Sequence, residues 1–280
     1  MDGFISVKCA RLEPKDPTAA GLGFSIFGFS QGFMTIRDSN LKLAVKNCFK
    51  PIDKHIVVLE PHLGLGDNLI CLGLVRELSQ REPNTHFYYA CLHRCYHSLA
   101  WMFQDLDNVF LFAVKGGRQA RQLAGFLNAR YMPIGIVGVD IRRFDAFFYE
   151  QHHIDFDRRW DNARVPAGPQ SEGLYEILNP KNEPYLLVCK TESSPGEYQL
   201  KIANPENIKV IEVGPVTNNI FDWSKLVAGA TEIHTIDTSF THFVESELYG
   251  RDVMPLYYHL ARISNTEFTR RLPWQLVHYR

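Results

Sequence analysis

Several features that would place a protein in a special class are missing from this 280-residue sequence. Its formal net charge is −1, so no excess of one sign draws the whole chain to nucleic acid or to an anionic membrane. No apolar run approaches the roughly 20 residues that a membrane span needs. The first ten residues lack a basic start followed by a long apolar stretch, so we expect no signal peptide. These absences predict a soluble, cytoplasmic protein with neither a nucleic-acid partner nor a membrane span.

Cysteine is sparse and forms no disulfide framework. The six cysteines include Cys71 and Cys91, which lie within apolar runs, where a free thiol packs as a small hydrophobic group. This usage indicates a reducing compartment. Hydrophobic residues make up 45% of the chain and charged residues 22%, as in ordinary globular proteins. The length suffices for one large domain or two small ones.

From residue 55 onward, continuous apolar segments alternate with helical ones. This alternation predicts parallel sheets covered by helices on both faces. The predicted strands span 55–61, 85–91, 108–114, 131–140, 184–190, 207–214, 232–237 and 252–259. The predicted helices span 67–80, 97–104, 117–130, 144–160, 222–230 and 239–250.

Two such α/β units are joined by segments rich in Pro, Gly and Asn, "RVPAGPQSEG" and "NPKNEP". We therefore expect two Rossmann-like parallel-sheet domains, residues 1–180 and 181–280, facing across a cleft. Residues 1–50 alternate apolar with small or polar side chains around glycines, which predicts a β-rich N-terminal extension.

The first candidate loop is "PHLGLGDN", at the carboxyl end of a predicted strand, where open α/β sheets bind ligands. Its glycines, Gly64 and Gly66, allow a ligand to approach the backbone closely. With Asn68, they are the residues of this loop that we expect to bind a substrate. Asp67 is either a helix N-cap or a catalytic carboxylate. The loop is neither a dinucleotide fingerprint nor a P-loop, because Leu69 occupies the third glycine position and no Gly-Lys-Ser/Thr follows.

The second candidate loop is "HTIDTSFTHF", also between a strand and a helix. Free amides at a helix start, together with hydroxyl groups, bind anions such as a diphosphate. The residues of this loop that we expect to bind such a diphosphate ligand are Asp237, Thr238, Ser239, Thr241 and His242. The alternative interpretation is a set of capping groups with a packed histidine.

Basic side chains could assist the same site. Lys190, at the end of a strand, is the first candidate cation for the phosphates, and Arg158 with Arg159 in "FDRRW" come next. For each of them a solvated surface charge is an equally good interpretation. His62 is a rival to Asp67 as the base, because imidazole titrates near neutral pH.

Two further groupings suggest metal binding, but weakly. "QDLDN" and "DFD" have the Asp-x-Asp form that can hold a divalent cation, yet Asp105 and Asp107 precede a strand, which favours a turn. "HFYYACLHRCYH" is rich in His and Cys, but a strand followed by a helix directs its side chains to different faces. We therefore predict no metal site and no cofactor.

The two loops together resemble the glycosyltransferases of the ADP-heptose heptosyltransferase type. The resemblance covers roughly residues 55–115 and 184–258. It is carried by "VVLEPHLGLGDNLICLGLVRELSQREPNTHFYYA" and "FDWSKLVAGATEIHTIDTSFTHFVES". It implies a GT-B fold that binds an acceptor on the first domain, through Gly64, Gly66 and Asn68, and a nucleotide sugar on the second. It further implies Asp67 as catalytic base, with Asp237, Thr238 and His242 at the donor. Ser239 and Phe240 stand where the family usually has Gly-Pro or Gly-Leu, which leaves the donor sugar open.

Length and motifs are also similar to xylosyltransferases of large algal viruses, which build capsid glycans. This closer resemblance implies UDP-xylose as donor, a glycan acceptor and a viral protein in the host cytoplasm. Our leading hypothesis is thus an inverting, metal-independent glycosyltransferase. The alternatives are a sugar-nucleotide epimerase of similar fold and a non-catalytic sugar-nucleotide-binding protein. The sequence does not specify the oligomeric state.

Overall fold

The computed structural model describes residues 6–7, 55–192, 197–262 and 267–279. Almost all of the predicted β-rich extension, residues 1–50, lies outside the described residues. Its described part is strand β1 (Ser6–Val7), which pairs antiparallel with Phe112 and Ala113 of the first sheet. No helix in the described part of the chain combines the length and the apolar character needed to cross a bilayer.

The first sheet contains four parallel strands and β1. Its strands are β2 (His55–Glu60), β3 (Thr85–Leu92), β4 (Val109–Val114) and β5 (Arg130–Pro133), in the spatial order β1-β4-β3-β2-β5. The central strands β2 and β3 are apolar and almost wholly buried. Such continuous burial is expected of a parallel sheet with helices on both faces.

Among its described residues, this half contains five α-helices. They are α1 (Leu65–Arg81), α2 (Tyr96–Met102), α3 (Gly117–Leu127), α4 (Phe144–Glu150) and α5 (Arg158–Asp161). Helix α1 buries the predicted stripe, including Ile70, Leu74 and Leu78. Helix α5 crosses α1 at Gly73, where an added Cβ would lie 2.1 Å from the backbone oxygen of Arg158. This glycine therefore sets how closely α5 approaches α1.

The second sheet is wholly parallel. Its strands are β6 (Tyr185–Cys189), β7 (Lys209–Glu212), β8 (Glu232–Thr235), β9 (Leu256–His259) and β10 (Trp274–Val277), in the order β10-β9-β8-β6-β7. The helices of this half are α6 (Ser171–Leu178), α7 (Ser224–Gly229) and α8 (Ser239–Leu248). Helix α8 packs against α1, and one buried apolar cluster continues through both halves.

The predicted α/β class with two parallel sheets is confirmed, and the differences are local. Strand β5 ends at Pro133, because Gly135 and Gly138 adopt positive φ and turn the chain. The helix predicted over 144–160 divides into α4 and α5, with His153 at φ 52° between them. Helix α6 forms inside the predicted linker, and β10 was not predicted.

Residues 267–272, which we call the strap, connect the two halves. The amide of Thr269 donates to Oδ2 of Asp145 on α4 at 2.8 Å. The amides of Arg271 and Leu272 donate to the Glu245 carboxylate on α8, at 3.0 and 3.2 Å. Asp145 and Glu245 are both buried, so these bonds are shielded from water. The strap therefore fixes α8 relative to the first half.

Candidate active site

A cavity of about 730 Å³ lies between the two halves, at the carboxyl ends of their strands. This is the position at which open α/β sheets bind ligands. Its walls come from the loops after β2, β3, β6, β7, β8 and β9. The lining residues include Gly64, Gly66, Asp67, Arg94, Ser98, Phe144, Cys189, Gly214, Asn218, Asp237, Thr238, Ser239, His242, Arg262 and Phe268. Both predicted loops thus face one cavity.

Asp67 is not a helix cap. The N-cap of α1 is Gly64, and Asp67 is the third residue of the helix, with its side chain at the cavity. Burial raises the pKa of Asp67, the His62 imidazole lowers it and the Asp237 carboxylate raises it, with a net value of about 6. A carboxylate of this pKa is mostly ionised at pH 7, yet it is a stronger base than an exposed aspartate. Both properties suit a general base.

His62 lies beside Asp67 but does not line the cavity. Its Nε2 donates to the carbonyl oxygen of Gly135, and its ring stacks on Phe148 at 5.7 Å between centroids. With one nitrogen bound to a backbone carbonyl and the ring held by an aromatic neighbour, His62 is well placed to stabilise the Asp67 carboxylate. Its contacts do not bring it to a substrate.

The second loop forms the facing wall. Thr238 is the N-cap of α8, and its Oγ1 accepts from the amide of Phe240 at 3.2 Å. Asp237 and Ser239 line the cavity on either side of this cap. The Arg262 guanidinium lies at the same wall, where Nη1 donates to the backbone oxygen of Asp237 at 2.5 Å and Nε pairs with Glu192 at 2.9 Å. A helix start with an adjacent guanidinium is suited to an anionic ligand.

The two loops touch at Gly66 and His242. A Cβ added to Gly66 would lie 3.1 Å from Cδ2 of His242 and 3.4 Å from Cα of Ser239. His242 is only 7% exposed, and its Nδ1 is 3.3 Å from Nη2 of the buried Arg159. Burial and this guanidinium hold the pKa of His242 well below its usual range. The ring is therefore a neutral imidazole at the boundary between the loops.

Two of the predicted cations lie away from the cavity. Lys190 forms ion pairs with Glu197 at 2.9 Å and Glu212 at 2.7 Å. Arg158 is 47% exposed and pairs with acidic side chains of α1 and α5, at 3.7 Å in each case. Neither lines the cavity. Of the two predicted arginines, Arg159 contacts the cavity wall, through its Nη2 at 3.3 Å from Nδ1 of His242.

Two other predicted residues support the loops from behind. Asn68 is fully buried, and its amide group donates to the carbonyl of Gly64 at 2.5 Å and accepts from Tyr89 at 2.7 Å. Thr241 is also buried and donates to the carbonyl of Ile236 at 2.7 Å. These hydrogen bonds fix the shape of the two loops. They also occupy the polar atoms of the Asn68 and Thr241 side chains, so these two side chains do not bind a ligand in the cavity.

In the two sequence segments that suggested metal binding, the aspartates contact other protein groups. Asp105 makes a two-point contact with Arg76, at 2.6 and 3.1 Å. Asp157 pairs with Arg271, and Asp155 accepts from the Asp157 amide at 3.0 Å. Within the described ranges no three His, Cys, Asp or Glu side chains converge as a metal site would require. Cys91 and Cys95 are free buried thiols.

Three parts of the cavity wall were not predicted from the sequence: the loop after β7, Arg94 and Arg262. "VGPVTNN", residues 213–219, lines the cavity from the side of β7, and Arg94 lines it from the loop after β3. Their position at the ends of parallel strands was the available signal, since the same argument selected the other two loops. Arg94 is exposed, so it can reach a ligand that enters from solvent.

No protein-family profile matches the chain, and no curated protein matches its sequence. Solved structures do resemble it. A glycosyl transferase family 9 protein from Veillonella parvula aligns with a TM-score of 0.53 at 12% identity, covering 81% of this chain and 88% of its own. The iron-containing dodecameric glycosyltransferase TibC of enterotoxigenic E. coli aligns with a TM-score of 0.50 at 10% identity, covering 81% and 63%. ADP-heptose heptosyltransferase II of E. coli aligns with a TM-score of 0.48 at 11% identity, covering 80% and 90%.

These similarities concern the fold. The two sheets, their parallel strands and the cleft between them match the architecture of the glycosyl transferase family 9 protein. The predicted GT-B fold of two facing Rossmann-like halves is therefore confirmed.

Proposed function

We propose that this protein is an inverting glycosyltransferase that moves a sugar from a nucleoside-diphosphate donor to a hydroxyl group of a glycan acceptor. One observation carries the proposal. The Asp67 carboxylate and the start of helix α8 face each other across one cavity, on opposite halves of a glycosyltransferase fold. A base on one wall and an anion site on the other are the two requirements of the reaction.

Asp67 acts as the base. An acceptor hydroxyl group is a weak nucleophile near neutral pH, and a carboxylate within hydrogen-bond reach removes its proton as the new bond forms. The acceptor oxygen attacks the anomeric carbon, and the bond from that carbon to the diphosphate oxygen breaks. Because the base and the diphosphate lie on opposite sides of the sugar, attack inverts the anomeric configuration.

The leaving diphosphate is held by the second loop. Amides at the start of α8, the Ser239 hydroxyl group and the Arg262 guanidinium meet the charge that develops on it. Thr238 keeps this helix start in shape through its cap bond. Lys190 and Arg158 are left out of the donor site, because their ion pairs hold them elsewhere.

We further propose that the reaction needs no divalent metal. One aspartate of each Asp-x-Asp pair is bound to an arginine, Asp105 to Arg76 and Asp157 to Arg271, and it would have to leave that arginine to bind a cation. Unimpaired turnover in EDTA is the expected result. Activity that disappears in EDTA and returns with manganese would contradict this part of the proposal.

A thermal-shift screen against UDP-, GDP- and ADP-sugars is the first experiment, because a ligand that binds only the folded state raises the melting temperature. We place UDP-xylose first, on the sequence resemblance. The stabilising donor is then incubated with glycan acceptors, and release of nucleoside diphosphate and glycosylated product is measured. Transfer by the wild type and its loss in Asp67→Asn, with donor binding kept, is the expected outcome.

The same assay separates the alternatives. An epimerase would convert the donor without any acceptor. A binding protein would show the thermal shift with no product, and Asp67→Asn would leave that shift unchanged. Full transfer by Asp67→Asn, combined with loss in a His62→Gln variant, would instead identify His62 as the base.

A further inference from the structure

A buried network of polar side chains lies behind the cavity wall. Arg159, 5% exposed, forms an ion pair through Nη1 with Asp145, which is 1% exposed. Nη2 of Arg159 lies 3.3 Å from Nδ1 of His242. Asp145 also accepts a hydrogen bond from the Thr269 amide at 2.8 Å. This polar network therefore links α4, α5, the strap and α8. Of the residues in this polar network, His242 lines the cavity.

The contact with Arg159 determines where His242 carries its proton. Guanidinium nitrogens have no acceptor capacity, so Arg159 can only donate, and Nδ1 of His242 must accept. A neutral imidazole that accepts at Nδ1 carries its hydrogen on Nε2. That nitrogen is on the ring edge beside Gly66, 3.7 Å from the position of an added Cβ, and has no hydrogen-bond partner among the described residues.

On the basis of the proposed function, we infer that Arg159 is a positioning residue for the transfer reaction. It fixes His242 as the Nε2–H tautomer, so that the imidazole donates a hydrogen bond to the donor diphosphate and does not exchange protons. Asp145 holds the guanidinium in place, and Gly73 admits the helix that carries it.

The surroundings of His242 favour this neutral donor. Arg159 on α5 and Arg270 of the strap both lower the pKa of the ring, in addition to its burial. Phe268 of the strap packs edge-on against it at 4.8 Å between centroids. On the first half, Asp67 is the carboxylate of the same cavity. Two guanidinium groups thus oppose formation of an imidazolium.

Nitrogen NMR of histidine-labelled protein tests the inference without any turnover. The wild type should give the Nε2–H pattern of a neutral imidazole at His242 between pH 5.5 and 8, assigned by its loss in His242→Gln. Arg159→Met alone would bury the unpaired Asp145 carboxylate, so the test variant is Arg159→Met combined with Asp145→Asn. This pair should populate the Nδ1–H tautomer or titrate within that range.

Turnover provides the second readout. The Arg159→Met, Asp145→Asn double variant should lower kcat about tenfold or more, as expected for loss of an aligned hydrogen-bond donor. It should change the KM for the nucleotide sugar less than about threefold. His242→Gln, whose amide nitrogen reaches the Nε2 position, should keep more activity than His242→Asn, which replaces only Nδ1. The matched control is Arg76→Met with Asp105→Asn, which removes an ion pair on the outside of the same half and should change neither readout.

The outcomes separate the two proposals. No turnover by the wild type with any donor contradicts the proposed function alone. A wild-type His242 that is an imidazolium or an Nδ1–H tautomer overturns the inference about Arg159. A folded Arg159→Met, Asp145→Asn protein with an unchanged tautomer and unchanged kcat overturns it as well.

Discussion

Replacing Asp67 by asparagine should stabilise the protein while it abolishes transfer. The folded state raises the pKa of this carboxyl group from 3.8 to about 6, mainly through burial, so it disfavours the charged form. Asparagine has nearly the same shape and no charge to bury. A stabilising substitution at a residue needed for activity is the pattern expected of a group selected for catalysis.

The magnitude follows from linkage between proton binding and folding. A shift of about 2 pKa units corresponds to about 3 kcal/mol at 1.36 kcal/mol per unit, and partial exposure to the cavity reduces the expectation to about 1–2 kcal/mol. Because the folded-state pKa is raised, burying the charged Asp67 carboxylate lowers the free energy of unfolding. This loss of stability is absent below pH 4, grows between pH 4 and 6 and is complete above pH 6. For a chain of this size, the gain corresponds to a rise in Tm of about 2–8 °C near neutral pH.

Urea unfolding of the wild type and Asp67→Asn at pH 4 and pH 7.5 measures this difference. The variant should gain unfolding free energy at pH 7.5 and gain almost none at pH 4. Asp107→Asn is the control, because this aspartate is exposed and should show no such pH dependence. An Asp67→Asn protein that is no more stable than the wild type at pH 7.5, or equally stabilised at both pH values, would refute the reasoning.

Four further expectations follow from the same site. With a group of pKa about 6 as base, kcat/KM should fall about tenfold per pH unit below pH 6 and level off above it, in a pH–rate profile. Gly66→Ala should lower kcat severalfold, because the new methyl group crowds His242, and the thermal shift with donor should survive. Arg262→Met should raise the donor KM, whereas Lys190→Met should change it less than about twofold, in steady-state kinetics. Gly73→Ala should cost about 3 kcal/mol or more of stability in urea unfolding, since α5 must move away from α1.

Much of the fold could be predicted because parallel strands are readable as apolar runs. Residues 57–60 and 185–189 are buried on both faces, and each segment leads into a loop at the carboxyl end of its sheet. Strand β10 was missed because it has four residues and Gln275 interrupts its apolar run, so it lacks the continuous pattern of a central strand. Helix α6 was missed because the Pro, Gly and Asn around it are typical of a linker.

The candidate site was predictable in its loops and less so in its side chains. Asp67, Asp237 and Ser239 line the cavity because they lie in the loops and first helical turns that follow β2 and β8. Which of two adjacent arginines points inward depends on how α5 lies on α1, and that is a tertiary contact. Lys190 directly follows strand β6, yet Glu197 and Glu212 from two later segments hold its ammonium group. Pairing of this kind cannot be read from local sequence.

The strap also has a consequence for the order of events during synthesis. Asp145 and Thr269 are 124 positions apart, and the Arg159 guanidinium depends on the same carboxylate. Both sheets can begin to assemble while the chain is still on the ribosome, since domains fold as units during translation. The wall that contains His242 reaches its final place only after residues 267–272 have emerged. A nascent chain stalled before that point would lack strand β10 and the strap's hydrogen bonds to Asp145 and Glu245, so the wall that contains His242 would not yet be fixed against the first half.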